Sequence, residues 1–253
     1  MSQLNNKIIL EVCTNGLGSS MNAMKGGANR VELCSNLVQG GTTPSIGAID
    51  LVREIPNLSI RVMIRPRGGD FLYTSLEFET MKKEIEYCKK MKVDGVVFGI
   101  LLANGKVDIK RTKELIAIAR PMKVTFHRAF DMCENLNLAL LELIELGVDA
   151  VLTSGGKNKA IDGLEKLREL VEIADDRIEM MVGSGVRPSN VKSFYKIGIR
   201  SFHLSGLTTI SSKMKYRNSD ISMGNIPEIP EYDTQLTDVN VIKAMRMELN
   251  RCF

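Results

Sequence analysis

The stretch KVTFHRAFDMCENLNLALLELIELGVDAVLTSGG, Lys123 to Gly156, decides the fold. It opens on a short run rich in β-branched and aromatic residues, Lys123–His127, and closes on another, Ala150–Thr153. Between them Leu136 to Leu146 has the pattern of an amphipathic helix carrying Glu142 and Glu145, and Gly147 stands where such a helix ends. Strand, helix, strand is one βαβ unit, and its two strands pair in parallel.

The same alternation extends in both directions. Further strand candidates are Ile8–Cys13, Arg30–Cys34, Ile60–Arg65, Gly95–Ile100, Ile178–Val182 and Ser201–Ser205, which makes eight in all. Helical spacing links Met81, Ile85 and Cys88, and again Ile161, Leu164, Leu167 and Val171. A last helix is predicted over about Asp238 to Arg251, with Thr237 or Asp238 as N-cap. Gly26, Gly27 and Gly198 sit, like Gly147, between a helix and the next strand. Eight units of about 32 residues use the whole chain, so residues 1–253 are read as one α/β domain, a (β/α)8 TIM barrel. A doubly wound open sheet is the alternative, but no GxGxxG follows the first strand. The irregular stretch 213–235, with Gly224, Pro227 and Pro230, is predicted to be a long loop able to cover the barrel mouth, and Tyr216-Arg217-Asn218 is a candidate for the site or a subunit contact.

Composition narrows the function. The chain has 44% hydrophobic and 25% charged residues, which excludes the disordered and fibrous classes. No run of about 18 apolar residues exists, and no exported leader is read at the start, so a cytoplasmic protein without membrane contact is expected. A net charge of +4 without tryptophan or a basic stripe argues against nucleic acid as partner. Five cysteines, an odd number with no CxxC, are expected to be reduced.

In a barrel the chemistry sits at the C-terminal strand ends. There the chain places Glu11, Cys13, Glu32, Cys34, Arg65, Arg67, His127, Arg128, Asp131, Ser154, Gly183, Gly185, Arg187, His203 and Gly206. Both histidines of the protein fall on this face. Two readings fit: a polar network that closes the mouth, or a site for a small anionic or phosphorylated molecule. In the second, Arg65 and Arg67 project from one side of an extended segment as paired forks for a carboxylate or phosphate. Ser154, Arg128, Arg187 and His203 line the pocket, and the glycine turns at Gly183, Gly185 and Gly206 offer backbone N–H groups to an oxyanion. His127 would move a proton, oriented by Glu11 or Glu32, with Asp131 nearby. Pairing of the arginines with Glu11, Glu32 or Asp70 is the competing reading. Cys13 and Cys34 repeat a Glu-x-Cys pattern on neighbouring strands roughly 4.8 Å apart. Two thiols there can hold a soft ion such as Cu(I), or simply pack.

At these residues the chain resembles the CutC family. The matching segments are Ala28-Asn-Arg-Val-Glu-Leu-Cys34, Gly40-Gly-Thr-Thr-Pro-Ser45, Ile64-Arg-Pro-Arg-Gly-Gly-Asp-Phe71, Thr125-Phe-His-Arg-Ala-Phe-Asp131, Val151-Leu-Thr-Ser-Gly-Gly156, Gly183-Ser-Gly-Val-Arg187 and Tyr216-Arg-Asn218, in the family's order. Asn29, Thr42 and Gly206 depart from its common residues. The resemblance implies a cytoplasmic, homo-oligomeric (β/α)8 barrel associated with copper homeostasis, with Cu(I) at Cys13 and Cys34. A barrel enzyme acting on a small anion is the alternative, because copper leaves Arg65, Arg67, His127 and Arg128 idle.

Overall fold

Eight short strands alternate with helices, and each strand shows its two faces to different neighbours. The computed structural model describes residues 8–221, 223 and 230–252. β1 (Ile9–Thr14) leads to α1 (Leu17–Lys25), β2 (Arg30–Leu33) to α2 (Ile46–Arg53), β3 (Ser59–Met63) to α3 (Ser75–Lys90) and β4 (Gly95–Phe98) to α4 (Ile109–Ala119). β5 (Lys123–Phe126) leads to α5 (Leu136–Glu145), β6 (Ala150–Thr153) to α6 (Leu164–Ala174) and β7 (Glu179–Val182) to α7 (Val191–Lys196). β8 (Ser201–Leu204) is followed by a two-stranded hairpin, β9 (Leu207–Ser211) and β10 (Asp233–Thr237), before α8 (Val239–Asn250). The first eight strands are parallel and close in order, with β1 against β8 in the register Ile9↔Ser201 to Val12↔Leu204. This is the predicted TIM barrel.

The main apolar core is the ring between strands and helices. Leu10, Val12, Val31, Leu33, Ile60 and Val62 belong to it, all buried. Phe78, Met81, Ile85 and Cys88 fill it from α3, and Ile242, Met245 and Leu249 from α8. Residues of opposite parity face inward and are mostly polar: Glu11, Arg30, Glu32 and Arg61 are buried. The apolar contact inside the barrel is a small separate cluster of Cys34, Met63 and Val97, with Cys13 and Leu37 against it. The barrel lumen is thus built on charge, and stability of the shell rests on the outer ring.

The stretch 213–235 differs from the predicted loop at its C-terminal end, where β10 begins at Asp233. β9 continues out of β8, and β10 returns antiparallel to it with Leu207 opposite Thr237. The hairpin is fastened to the first βα unit: Asn15 Nδ2, in the turn, donates to Gln235 O at 2.9 Å, and Asn22 Nδ2, on α1, to Thr237 O at 2.9 Å. Residues 222 and 224–229, including Gly224 and Pro227, lie outside the described residues. Arg217 stacks on Tyr232 at 4.4 Å and Asn218 N donates to the Tyr232 hydroxyl, so these residues brace the hairpin's return. Asp238 is the N-cap of α8, accepting from Asn240 N at 2.7 Å. Among the described residues no helix is long and apolar enough to cross a membrane.

Candidate metal and ligand site at the barrel mouth

The C-terminal strand ends surround a cavity of about 1230 Å3. Its wall includes Cys13, Glu32, Arg65, His127, Arg187 and His203. Barrel stagger sets the depth of each. The β1–β2 register puts Cys13 beside Glu32 and Glu11 beside Arg30, so the two Glu-x-Cys copies stand two residues out of step. Glu11 therefore lies one layer deeper than Glu32.

In that deeper layer a closed ionic network fills the lumen. Glu11 takes the Arg30 Nε–H on one oxygen and His203 Nδ1 at 2.8 Å on the other. Arg30 Nη2 also reaches Glu179 at 2.6 Å, and Arg61 Nη2 lies 3.9 Å from the same carboxylate. Gly95 makes room for this: a Cβ there would meet Lys123 O at 2.7 Å and the Arg61 side chain at 3.2 Å. Burial alone would push Glu11 up, but Arg30, His203 and Arg61 outweigh it and hold the carboxyl well below its ordinary range. None of Arg30, Arg61 and Glu179 was singled out from sequence. Their signal was the inward parity they share with Glu32 and Arg65.

Above the network sit the thiols. Cys13 Sγ and Cys34 Sγ are 3.7 Å apart, and Cys34 Sγ is 3.5 Å from Glu32 Oε2. His203 Nε2 lies 3.8 Å from that oxygen, and ligand atoms of Cys13, Glu32 and His203 all fall within 4.8 Å of one another. The hydrogen bond from Cys34, with further help from His203, pulls the Cys13 thiol down to about 5 against burial. Burial also opposes a charge on His203, but Glu32, Cys13 and Glu11 hold its pKa well above the ordinary value. Burial and the Cys13 charge push Glu32 up. The same contacts favour a thiolate on Cys13 beside a protonated His203.

The CutC family model matches residues 8–208. The chain belongs to the CutC family. It is 46% identical over 240 residues to a family protein CutC of Parabacteroides distasonis, covering 94% of this chain and 99% of that one. It is 43% identical over 241 residues to the human copper homeostasis protein cutC homolog, covering 95% and 88%. A crystal structure of a CutC protein from Streptococcus agalactiae superposes with a TM-score of 0.75 at 34% identity, over 78% of this chain and 98% of that one.

Within this CutC barrel the other predicted site residues fall into three groups. Arg65, His127, Arg128, Asp131, Arg187, His203, Gly185 and Gly206 line the cavity with Cys13 and Glu32. Arg128 and Asp131 are occupied with each other at 2.7 Å, and Asp131 also accepts from Thr153, Ser154 and Gly156, so that carboxylate is a clamp between the loops after β5 and β6. Ser154 serves the same clamp, fully buried. The Gly183 amide donates to Thr153 O at 3.1 Å and continues the barrel ladder, which removes it as an oxyanion donor.

Two pairings are corrected. Arg67 does not share a side with Arg65. β3 ends at Met63, and beyond Pro66 the chain turns, so Arg67 bonds Glu77 at 2.5 Å and Asp70 at 3.0 Å and stacks on Tyr73, outside the cavity. Neither Glu11 nor Glu32 orients His127, because both belong to His203. The His127 ring instead packs on Phe71, 4.9 Å between centroids, and its Nδ1 accepts the Ala129 N–H at 3.1 Å. Burial, with the Arg65 charge beside it, pulls its pKa down to about 3, so the ring is neutral at pH 7.

Proposed function

We propose that this chain acts in copper homeostasis in the cytoplasm by holding Cu(I) as cargo between Cys13 and Cys34. The observation that carries the reading is the 3.7 Å separation of two sulfurs, Cys13 at the wall of an open cavity and Cys34 buried behind it. Soft thiolate donors suit Cu(I). With metal–sulfur bonds of about 2.3 Å, the zinc–thiolate length, one ion reaches both sulfurs. Cys13, a thiolate above about 5, supplies the first donor without a proton to displace. On binding, the ion would displace the Cys34 proton, which Glu32 Oε2 at 3.5 Å would accept. His203 Nε2 lies within reach of Cys13 and would become the nitrogen donor once its proton has left, its ring fixed from behind by Glu11. The names of the human and mouse relatives support the same role. The five cysteines of the described chain are free thiols, in keeping with a reducing compartment.

The test is an anaerobic Cu(I) titration against a competing chelator, on the wild type and on Cys13→Ser/Cys34→Ser. One tight equivalent that disappears in the double variant is expected. Weak binding, or equal binding by both proteins, overturns the reading.

A further inference from the structure

Copper leaves one side of the cavity unexplained. Arg65 follows β3 and is 5% exposed. Its Nη1 donates to Gln39 O at 2.6 Å and Gly41 O at 2.8 Å, and its Nη2 to Gly69 O at 2.8 Å. These are neutral carbonyls. Among the described residues no carboxylate pairs with this guanidinium, and its Nε–H makes no hydrogen bond of good geometry, the nearby Tyr73 hydroxyl being equally unpartnered. A buried charge without a counter-ion is costly, and a buried N–H without an acceptor costs about 1–3 kcal/mol.

His127, 4% exposed, has the same defect. Its Nδ1 accepts the Ala129 N–H, so that nitrogen holds the lone pair and the ring proton is on Nε2. Nε2 is buried and has no partner among the described residues. Both groups pack on one ring: the Arg65 guanidinium carbon is 5.2 Å from the Phe71 centroid, and the imidazole centroid 4.9 Å. Gly99 leaves room for the imidazole, since a Cβ there would sit 2.7 Å from His127 Nδ1. Arg187, exposed at the rim of the cavity, likewise has no carboxylate partner among the described residues.

We propose that Arg65 Nε–H and His127 Nε2–H together anchor the carboxylate of a small organic acid that occupies the cavity. Two unserved donors match the two oxygens of a carboxylate, and its charge neutralises the buried guanidinium. A phosphate, with three oxygens to satisfy, would remain underserved there. The cavity exceeds the roughly 300–1,000 Å3 of ordinary small-molecule sites, and Leu37, Met63, Leu152 and Val186 give it apolar wall for a carbon skeleton. His127 is then a neutral hydrogen-bond donor rather than a base. The proposal goes beyond copper handling and uses none of its residues.

The protein has two histidines, so a sample labelled with 15N in histidine reports each ring separately. Pyruvate, benzoate, inorganic phosphate and chloride are the probes. The expected result is an Nε2–H tautomer for His127 between about pH 5 and 8, and a saturable shift of its Nε2 with pyruvate or benzoate. Arg65→Lys, which keeps the charge but loses the Nε–H, should weaken that response about tenfold. His127→Phe should abolish binding of the same probe, followed by calorimetry, and His127→Gln, whose amide nitrogen stands in for Nε2, should restore it. An unchanged His203 spectrum certifies folding in each variant. The response should survive in Cys13→Ser/Cys34→Ser, which separates it from the copper reading. An Nδ1–H tautomer, no shift with either carboxylate, a shift with phosphate alone, or full affinity in Arg65→Lys would each overturn the proposal.

Discussion

Glu11→Gln tests the ionic floor of the lumen. Glu11 is fully buried and accepts from Arg30 on one oxygen and His203 on the other. The amide keeps the shape, removes the charge and turns an N–H toward one of two donors. Breaking a buried pair by removing one partner costs about 3–5 kcal/mol. Because Arg30 keeps Glu179 at 2.6 Å, the lower end applies, about 3 kcal/mol. For a chain of this length that lowers the thermal midpoint by about 6–12 °C at pH 7. The sign with pH follows from the depressed pKa. A carboxyl held well below 4.5 in the folded state adds stability that is present above 4.5 and lost as pH falls toward the folded value. Thermal unfolding by circular dichroism from neutral to acid pH should therefore show the gap between wild type and variant shrinking below about pH 4.5. A midpoint change under about 3 °C at pH 7, or a gap constant with pH, would refute the reasoning.

Three further outcomes are expected. Alkylation of native protein by iodoacetamide should label Cys13 first, with a rate that halves near pH 5, while Cys88 and Cys133, pushed up to about 12 by burial, stay inert; mass spectrometry at fixed times reads this. Gly99→Ala should displace the His127 ring and cost about 1–3 kcal/mol by urea unfolding, since its Cβ would also lie 2.8 Å from Ala129 Cβ. Arg67→Ala should cost about 1 kcal/mol or less and leave the response of His127 to carboxylates intact, because its ion pair with Asp70 is solvent-exposed and that with Glu77 partly so.

What could be read in advance was whatever depends on short-range periodicity. The eight strands and the inward parity of Glu11, Glu32 and Cys13 follow from alternation along each strand. The ends of strands were legible only to within two residues, and that margin misplaced Arg67: past Met63 and Pro66 the period-two rule no longer applies. Glu179 was invisible because its partner Arg30 lies 149 residues away, and only closure of the barrel brings them together. The choice of histidine failed for a related reason. Parity puts both rings at the mouth, but the offset of one strand against the next decides which ring Glu11 can reach. Gly99 offers no side chain to read, and that absence is what seats His127. The hairpin of β9 and β10 escaped notice because Thr208 and Thr209 break any apolar rhythm and the return strand comes some twenty residues later.

The unequal exposure of the two thiols imposes an order of events. Cys13 is partly open to the cavity, whereas Cys34 is 1% exposed behind it. On the proposed copper reading, a soft ion delivered through the mouth would bind Cys13 first and recruit Cys34 second, and it would leave by the reverse path. An acceptor that takes the ion away therefore competes with one sulfur at a time, so release can proceed by stepwise thiol exchange while the barrel stays closed.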